Sequence, residues 1–446
     1  MKKLIKRHKR DQWTDMLSSI YPELHEDDAI SKYITIQVTD ACNLACTYCY
    51  QKNKGTRSIK VDYAKKLIDG LLEDAFHPYI SLGNTPGIVL EFIGGEPLLE
   101  IEVIDEICSY FMDKAIDSKH PWAERSCFSL CSNGVLVNTE PVQKFLDKWS
   151  HHLSLTVTID GNKELHDLCR RFPDGRPSYD IAIDAVKNWK SRGRTMGSKI
   201  TIVPENLKFV SKAIIDIVKN LDCVDVHANT CYEQGWTIEH AKVFYNELKK
   251  IAEYWNDQDI VQTHYLSLFE EDSFKPKSVD DDNNWCGGTG KMLAMDPDGY
   301  LYPCLRYMSS SLGDDQEEMI IGHVNTGIAK CKKCSERVNM LNAITRRSQS
   351  TDECFYCPIG DGCAWCSAYN YQVFGTPNKR TTFICDMHKA RALANVYFWN
   401  TYYRKHNIID EETHKQRRFV NYCPDEWALE IISQEELDML KELASD

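Results

Sequence analysis

Apolar residues in the first half of the chain follow two patterns, short β-branched runs and longer stretches with helical spacing. The run 33–38 predicts a strand, and the apolar spacing over 61–76 predicts an amphipathic helix. The succession then repeats, with strands predicted at 88–93, 127–131, 153–159, 199–203 and 224–228 and helices at 100–116, 139–149, 178–191 and 207–220. This alternation predicts an α/β fold with six parallel strands and crossover helices.

The pattern changes after residue 230. A helix near 237–256 is followed by a polar stretch at 280–284, and we interpret 231–285 as a linker between domains. Further on, 389–404 is helical and rich in aromatic residues, which is typical of core packing.

Composition narrows the class of protein. The chain has 446 residues, enough for two or three domains, and a formal charge of −13 argues against nucleic-acid binding. No apolar run is long enough for a membrane span, and no apolar segment of a secretory signal follows the basic first ten residues. Nineteen cysteines without an export signal favour a cytoplasmic protein that binds metal clusters over a disulfide framework.

Three cysteines, Cys42, Cys46 and Cys49, follow the first predicted strand within eight positions. A [4Fe–4S] cluster usually takes four cysteine ligands, so three leave one iron open to a small molecule. The alternative is a zinc site, which needs four ligands. No fourth ligand lies close by in the sequence, and the spacing therefore favours the open cluster.

This C-x3-C-x2-C spacing, with Tyr48 before the last cysteine, resembles the signature of the radical S-adenosylmethionine (SAM) superfamily. The resemblance implies that SAM binds the open iron and is cleaved to a 5′-deoxyadenosyl radical, which abstracts hydrogen from the substrate. It also implies a partial (β/α)6 barrel of the TIM type. Chemistry in such barrels collects after the C-terminal ends of the strands.

Other segments after the strands resemble the SAM contacts of this superfamily. The residues that the resemblance assigns to SAM are Tyr48, Gly94, Gly95, Glu96, Pro97, Ser132, Asn133, Thr158 and Arg170. Gly94 to Pro97 match the element that holds the amino group of SAM, whereas Thr158 and Arg170 match residues at its carboxylate. Asp160 and His166 have two open interpretations, as functional residues or as turn and helix-cap residues.

The second cysteine field resembles the SPASM extension of radical SAM enzymes, which holds two auxiliary [4Fe–4S] clusters. Twelve residues separate Cys286 from Gly299 and four separate Gly299 from Cys304, as that pattern requires. The resemblance assigns Cys354, Cys357, Cys363 and Cys385 to the outer cluster and Cys286, Cys304 and Cys366 to the inner one. With the first site, this implies SAM and three [4Fe–4S] clusters as cofactors.

The chain departs from the SPASM pattern in three places. Two residues separate Cys363 from Cys366 where three are usual, and the inner cluster lacks a fourth cysteine. That cluster has an open iron or recruits Cys331 or Cys334. The third departure is Leu305, at a position where anaerobic sulfatase maturases carry an aspartate.

The pair Cys331 and Cys334 has three open interpretations: cluster ligands, a zinc half-site or a redox dithiol.

The predicted organisation is an N-terminal extension (1–32), the radical SAM partial barrel (33–230), the linker with its helix (231–285), the SPASM domain (286–390) and a C-terminal helical segment (391–446). The resemblance implies an enzyme that modifies a ribosomally made peptide and forms a thioether, a carbon–carbon bond or a ring. The alternatives are a sulfatase-type maturase, another SPASM peptide dehydrogenase or epimerase, and a non-catalytic zinc or iron–sulfur scaffold.

The partners that this interpretation implies are a precursor peptide and a reductant such as flavodoxin or ferredoxin. About thirty residues precede the first predicted strand, too few for a winged-helix leader-binding domain. We therefore expect leader recognition to use a separate protein, the 231–285 segment or the SPASM surface. The catalytic acid or base is not assigned from the sequence.

Overall fold

The computed structural model of the chain describes residues 31–445 except 78, 81, 83–84, 196, 233–234, 285 and 313–315. Nearly all of the predicted N-terminal extension 1–32 lies outside the described residues.

Parallel strands alternate with helices over residues 31–230. The strands are β1 (Ser31–Thr39), β2 (Gly87–Gly94), β3 (Ser126–Ser132), β4 (Leu153–Val157), β5 (Gly197–Ile202) and β6 (Asp225–Thr230). The helices that connect them are α1 (Val61–Leu72), α2 (Ile101–Asp117), α3 (Glu140–Lys148), α4 (Lys163–Cys169), α5 (Tyr179–Ser191) and α6 (Val210–Leu221). The predicted α/β class with a six-stranded partial barrel is therefore confirmed.

The barrel wall consists of two hydrogen-bonded sheets. Strands β1 to β4 pair in parallel in chain order, whereas β5, β6 and the short β7 (Tyr265–Leu266) form a second parallel sheet. At the junction between the sheets, the hydroxyl of Ser198 donates to the carbonyl oxygen of Ile159 at 3.1 Å. A buried side chain thus bridges the wall at the point where the described backbone ladder is interrupted.

The cysteine-rich part continues the sheet of the barrel. Strand β8 (Leu293–Met295) pairs in parallel with β1, and β9 (Tyr300–Tyr302), β10 (Gly322–His323) and β11 (Gly327–Ile328) follow in antiparallel order. Since β1 leads directly into the first cysteine loop, this pairing joins the cysteine-rich part to the strand that carries that loop.

The remaining helices follow β6 in the chain. They are α7 (Ile238–Asp257), α8 (Lys332–Asn342), α9 (Arg346–Gln349), α10 (Asp352–Phe355), α11 (Ser367–Phe374), α12 (Cys385–Lys405), α13 (Asp425–Ile431) and α14 (Gln434–Leu443). Helix α7 lies in the predicted linker and packs along α12 and against α6. The domain boundaries stay predictions. None of the described helices combines the length and the apolarity that a membrane crossing needs.

Two elements differ from the prediction. The helix predicted over 61–76 ends at Leu72, because Asp74 adopts a φ of 50° and the chain turns back, so that the ring of Phe76 packs on Gly70. The short helix α4 was not predicted. It begins at Asn162, whose side-chain oxygen accepts from the backbone N–H of Leu165 at 3.0 Å.

Candidate active site

The first cysteine loop leaves the C-terminal end of β1 and is anchored to the chain that follows β4. The backbone N–H of Ala45 donates to the carbonyl of Arg171 at 2.7 Å, and that of Thr47 donates to Cys169 at 3.0 Å. Cys42, Cys46 and Cys49 are all half-buried. The three predicted ligands therefore share one short loop at the C-terminal end of the barrel strands.

Burial dominates the electrostatics of these thiols. It raises the pKa of Cys46 to about 11, although the guanidinium of Arg170 opposes the shift, and it also raises the pKa of Cys42. Metal ions bind thiolates, so binding of a metal cluster at this loop releases protons.

The Gly-Gly-Glu-Pro segment after β2 packs directly on the cysteine loop. A Cβ at Gly95 would lie 2.3 Å from the carbonyl oxygen of Ala41 and 2.7 Å from Cβ of Cys42. The backbone N–H groups of Gly95 and Glu96 also donate to the carbonyls of Thr39 and Ala41, at 3.0 and 2.9 Å. Gly95 is thus explained by the close approach of the loop backbone.

Glu96 connects the second strand to the third. Its carboxylate accepts from the hydroxyl of Ser132 at 2.7 Å, from the backbone N–H of Asn133 at 2.8 Å and from that of Leu98 at 3.1 Å. Burial raises the pKa of this carboxyl, and the same hydrogen bonds oppose the rise. Pro97 begins a short 3₁₀ helix directly after it.

Asn133 reaches back to the cysteine loop. Its side-chain N–H donates to the amide oxygen of Asn43 at 2.7 Å and lies 4.0 Å from the sulfur of Cys42. The predicted residues Glu96, Ser132 and Asn133 therefore form one hydrogen-bonded group beside Cys42. Asn43 belongs to the same group and was not among the predicted residues.

Tyr48, Asp160 and Arg170 form a second buried group on the other side of the loop. The hydroxyl of Tyr48 donates to a carboxylate oxygen of Asp160, and Nη1 of Arg170 donates to the oxygen of Tyr48 at 2.7 Å. One oxygen of Asp160 and Nε of Arg170 are buried with no hydrogen-bond partner among the described residues. Thr158 lies on the adjacent strand end, with its oxygen 3.7 Å from the sulfur of Cys131.

His166 is fully buried, and both nitrogens of its ring contact groups of the protein. Its Nδ1 accepts from the backbone N–H of Asp160 at 3.3 Å, while Nε2 lies 3.1 Å from the hydroxyl of Ser178. Because Ser178 donates that hydroxyl to the carbonyl of Arg170 at 2.7 Å, it accepts from Nε2–H of His166. Burial, with the nearby charge of Arg170, lowers the pKa of His166 to about 3, so the ring is neutral.

The second cysteine field forms two groups. The inner group comprises Cys286, Cys304 and Cys366, and a Cβ at Gly288 would lie 3.4 Å from the sulfur of Cys304 and 3.5 Å from that of Cys286. Cys366 caps helix α11, with its sulfur accepting from the N–H of Tyr369 at 3.4 Å. Burial raises the pKa of the Cys304 and Cys366 thiols, and the neighbouring sulfur of Cys286 adds to the rise.

The outer group brings together Cys354, Cys357, Cys363 and Cys385. Burial raises the pKa of Cys357, Cys363 and Cys385, the last to about 12, and the nearby sulfur of Cys354 adds to each rise. Nη2 of Arg380 donates to the sulfur of Cys363 at 2.8 Å. Within the described ranges, no three His, Cys, Asp or Glu side chains are close enough together to bind a single metal ion.

The extra cysteines, Cys331 and Cys334, are joined in a disulfide at the N-terminus of α8. The other end of this helix lies at the inner group, since a Cβ at Gly290 would be 2.6 Å from the side-chain oxygen of Asn342. A helix of 11 residues is about 16 Å long. The disulfide is therefore about one helix length from the contact between Asn342 and Gly290.

Several polar residues inside the barrel were missed by the sequence-based assignment. The guanidinium of Arg306 lies 5.2 Å from the ring centre of Tyr50, which directly follows Cys49. Its charge also opposes the rise that burial causes in the pKa of Cys366. Glu91 faces the same interior and accepts from the hydroxyl of Thr35 at 2.9 Å. The position of Arg306, two residues after Cys304, is the signal that could have pointed to it.

Comparisons with known proteins agree with this arrangement. Residues 36–212 match the Radical SAM superfamily. An uncharacterized protein of Methanocaldococcus jannaschii is 28% identical over 183 residues, which are 41% of this chain and 57% of that protein. The radical SAM cyclopropyl synthase TigE of Paramaledivibacter caminithermalis is 20% identical over 378 residues, covering 80% of this chain and 72% of TigE.

Two solved structures share the fold. Native anSMEcpe with bound AdoMet and Kp18Cys peptide has a TM-score of 0.61 at 17% identity and covers 85% of this chain and 100% of that one. SuiB of Streptococcus suis bound to its precursor peptide SuiA has a TM-score of 0.52 at 12% identity, covering 80% and 76%. At these identities the likeness establishes the fold.

Proposed function

Residues 36–212 form a radical SAM domain, and on this premise we propose that the chain modifies a ribosomally made peptide by radical chemistry. The product would be a thioether, a carbon–carbon bond or a ring. The observation that carries the proposal is the half-buried three-cysteine loop at the C-terminal end of the barrel strands. A cluster held by three cysteines keeps one iron free for SAM.

The residues around this loop fit both a [4Fe–4S] cluster and SAM. Cys42, Cys46 and Cys49 supply three thiolates on one loop. Beside them, an oxygen of Asp160 and Nε of Arg170 are buried with no hydrogen-bond partner in the described part of the chain. Unpaired buried polar atoms are rare and call for a ligand. When SAM and the cluster are bound, reductive cleavage of SAM supplies a carbon-centred radical that takes hydrogen from the substrate.

We assign roles to the chain's own residues on this basis. The carboxylate of Glu96 already accepts three hydrogen bonds, and its remaining lone pairs accept from the amino group of SAM. Gly94, Gly95 and Pro97 set the position of Glu96. Arg170, with its free Nε–H, and Thr158 bind the SAM carboxylate. Tyr48 holds Arg170 in place. Ser132 and Asn133 orient Glu96 and contact the ribose.

The two distal cysteine groups are proposed to hold auxiliary [4Fe–4S] clusters. Cys354, Cys357, Cys363 and Cys385 supply a complete ligand set for the outer one, whereas Cys286, Cys304 and Cys366 supply three ligands for the inner one. Since Cys331 and Cys334 are bonded to each other one helix length away, we propose that the inner cluster keeps an open iron.

A peptide is the proposed substrate. The structures of anSMEcpe with Kp18Cys peptide and of SuiB with SuiA support it, because they share the fold of this chain. Leu305 stands where anaerobic sulfatase maturases carry an aspartate, which disfavours that alternative. We further propose a flavodoxin or ferredoxin as reductant, a separate leader-binding protein where a leader is used, and a cytoplasmic location.

One experiment tests the proposal. The protein is reconstituted anaerobically with iron and sulfide, reduced, and assayed with SAM and a candidate precursor peptide by mass spectrometry. We expect roughly twelve irons per chain, formation of 5′-deoxyadenosine and a peptide product lighter by two hydrogens. A reaction without reductant is the control. Tightly bound zinc and no 5′-deoxyadenosine would instead establish a scaffold.

A further inference from the structure

Tyr307 has a hydroxyl group without a partner at the centre of the cysteine-rich part. The residue has no solvent exposure, and its oxygen has no hydrogen-bond partner among the described residues. It lies in the 3₁₀ turn that follows Cys304, with its backbone N–H donating to the carbonyl of Cys304 at 3.1 Å. Buried hydroxyl groups are nearly always paired, so this one indicates a partner that the chain itself does not supply.

The surroundings of the ring identify the chemistry of that partner. A Cβ placed on Gly288 would lie 3.5 Å from Cε2 of Tyr307. The same position is 3.4 Å from the sulfur of Cys304 and 3.5 Å from that of Cys286. The phenol oxygen is also within electrostatic range of all three inner cysteines, including Cys366. The hydroxyl of Tyr307 and the sulfurs of the three inner cysteines therefore lie in the same buried region.

A neighbouring tyrosine borders the same buried region without an unpaired hydroxyl. The oxygen of Tyr79 accepts from the backbone N–H of Gly290 at 3.3 Å. Tyr371 packs beside Tyr307 with ring centres 5.9 Å apart, but its hydroxyl donates to the carbonyl of Glu317 at 2.8 Å. Of these three hydroxyl oxygens, only that of Tyr307 has no hydrogen-bond partner of either kind among the described residues.

We propose that Tyr307 donates a hydrogen bond to a sulfur of the iron–sulfur cluster held by Cys286, Cys304 and Cys366, and thereby raises the reduction potential of that cluster. This inference rests on the proposed function, which places a cluster there. The reduced cluster carries one more negative charge than the oxidised one, so a donor stabilises the reduced form more. Hydrogen bonds to cluster sulfurs are known to set such potentials. Tyr307 is thus a positioning residue for the inner cluster.

The test is a redox titration of the reconstituted full-length protein and its Tyr307→Phe variant, followed by electron paramagnetic resonance. The signal of the inner cluster is the one that Cys286→Ser removes. We expect the ratio of reduced to oxidised inner cluster at a fixed potential to fall roughly tenfold in Tyr307→Phe, a shift of about 59 mV for one electron. Iron content should stay unchanged, because all three cysteines remain.

Tyr371→Phe is the matched control, since it removes an adjacent hydroxyl that is already paired elsewhere, and it should leave the potential unchanged. In the apoprotein, Tyr307→Phe should not lower thermal stability, because the hydroxyl has no partner there. An unchanged potential in Tyr307→Phe would overturn the inference, and so would loss of iron, which would make the tyrosine a ligand. Both outcomes are independent of SAM cleavage and of peptide modification, on which the proposed function stands.

Discussion

At the scale of single residues, His166 shows how contacts decide between two interpretations that the sequence leaves open. Its ring lies between the backbone of Asp160 and the hydroxyl of Ser178, with no exposure to solvent. Asp160 in turn belongs to the group with Tyr48 and Arg170. His166 is therefore a neutral bridge that supports the candidate SAM contacts.

This burial predicts acid sensitivity. The pKa of His166 is about 3 in the folded chain and 6.5 for the free side chain, so the unfolded chain binds the proton first as the pH falls. The contribution of His166 is complete above pH 6.5 and is lost progressively between pH 6.5 and 3. At pH 5 we expect a loss of about 2 kcal/mol relative to pH 8.

Hydrogen exchange measures this effect locally. The free energy of opening of α4 and α5 is measured by mass spectrometry at pH 8 and at pH 5. It should be lower at pH 5 in the wild type, and this decrease should be smaller in His166→Gln by about 2 kcal/mol. The exposed His151 provides a matched control, and His151→Gln should behave as the wild type. An equal fall in all three proteins would show that other groups cause the acid sensitivity.

The sequence identifies the candidate ligands of this site but not the side chains that contact them. The spacing of Cys42, Cys46 and Cys49 is a local signal that a single sequence displays. The contact of Tyr48 with Asp160 spans 112 positions and that with Arg170 spans 122, so only the folded chain brings these residues together. The same holds for Tyr307, whose significance depends on the missing partner of its hydroxyl.

At the scale of elements, the turn after β2 and the cysteine loop after β1 form one packed unit. A Cβ at Gly95 would collide with backbone atoms of Ala41, which cannot move away as a flexible side chain can. We expect Gly95→Ala to displace the loop and to lose about four of the roughly twelve irons on reconstitution, with 5′-deoxyadenosine formation abolished.

Gly235→Ala is the control for this substitution. A Cβ at Gly235 meets no atom within 4 Å, so iron content and activity should equal those of the wild type. Iron analysis and quantification of 5′-deoxyadenosine provide the measurements. If Gly95→Ala retains all its iron, the close packing of the two loops does not control cluster binding.

Helix α8 separates the extra cysteine pair from the inner group. Because the pair lies about one helix length from Asn342 at the inner end, neither Cys331 nor Cys334 is expected to bind the inner cluster. The double variant Cys331→Ser/Cys334→Ser should keep its iron content and the resonance signal of the inner cluster. Cys304→Ser should lose that signal. Loss of the signal in the double variant would show that the pair is recruited.

Elements were predictable where apolar periodicity is strong, and connections between sheets were not. The six strands, and all the connecting helices except the short α4, appear near the expected places because each has a continuous apolar pattern. The parallel pairing of β8 with β1 joins residues 34–36 to 293–295 and leaves no signal in a strand of three residues. The interruption of backbone hydrogen bonding between β4 and β5 also leaves no signal in the sequence.

At the scale of the whole molecule, that pairing joins the second cysteine field to the sheet of the barrel. Strand β1 leads into the first cysteine loop at its C-terminal end, whereas β9 runs antiparallel to β8 and returns the chain toward Cys304 in the opposite direction. Arg306 lies against Tyr50 of the first loop and near Cys366 of the inner group. Arg306 therefore links the first cysteine loop with the inner group.

This arrangement predicts separable roles for the cysteine groups. Cys46 belongs to the loop at the SAM contacts, so Cys46→Ala should abolish 5′-deoxyadenosine formation. Cys357 lies in the outer group and is not part of that loop, and Cys357→Ala should impair product formation while SAM cleavage is at least partly retained. Liquid chromatography of 5′-deoxyadenosine and mass spectrometry of the peptide measure the two outcomes in one reaction.

The buried Cys108 in α2 offers a matched control, because it lies in the hydrophobic core. Cys108→Ala removes one sulfur from the chain but no proposed ligand, so it should retain both activities provided that the core tolerates the smaller side chain, which a melting curve checks. Equal loss of both activities in Cys46→Ala and Cys357→Ala would contradict separate roles. It would mean that the outer group is required to form the first site.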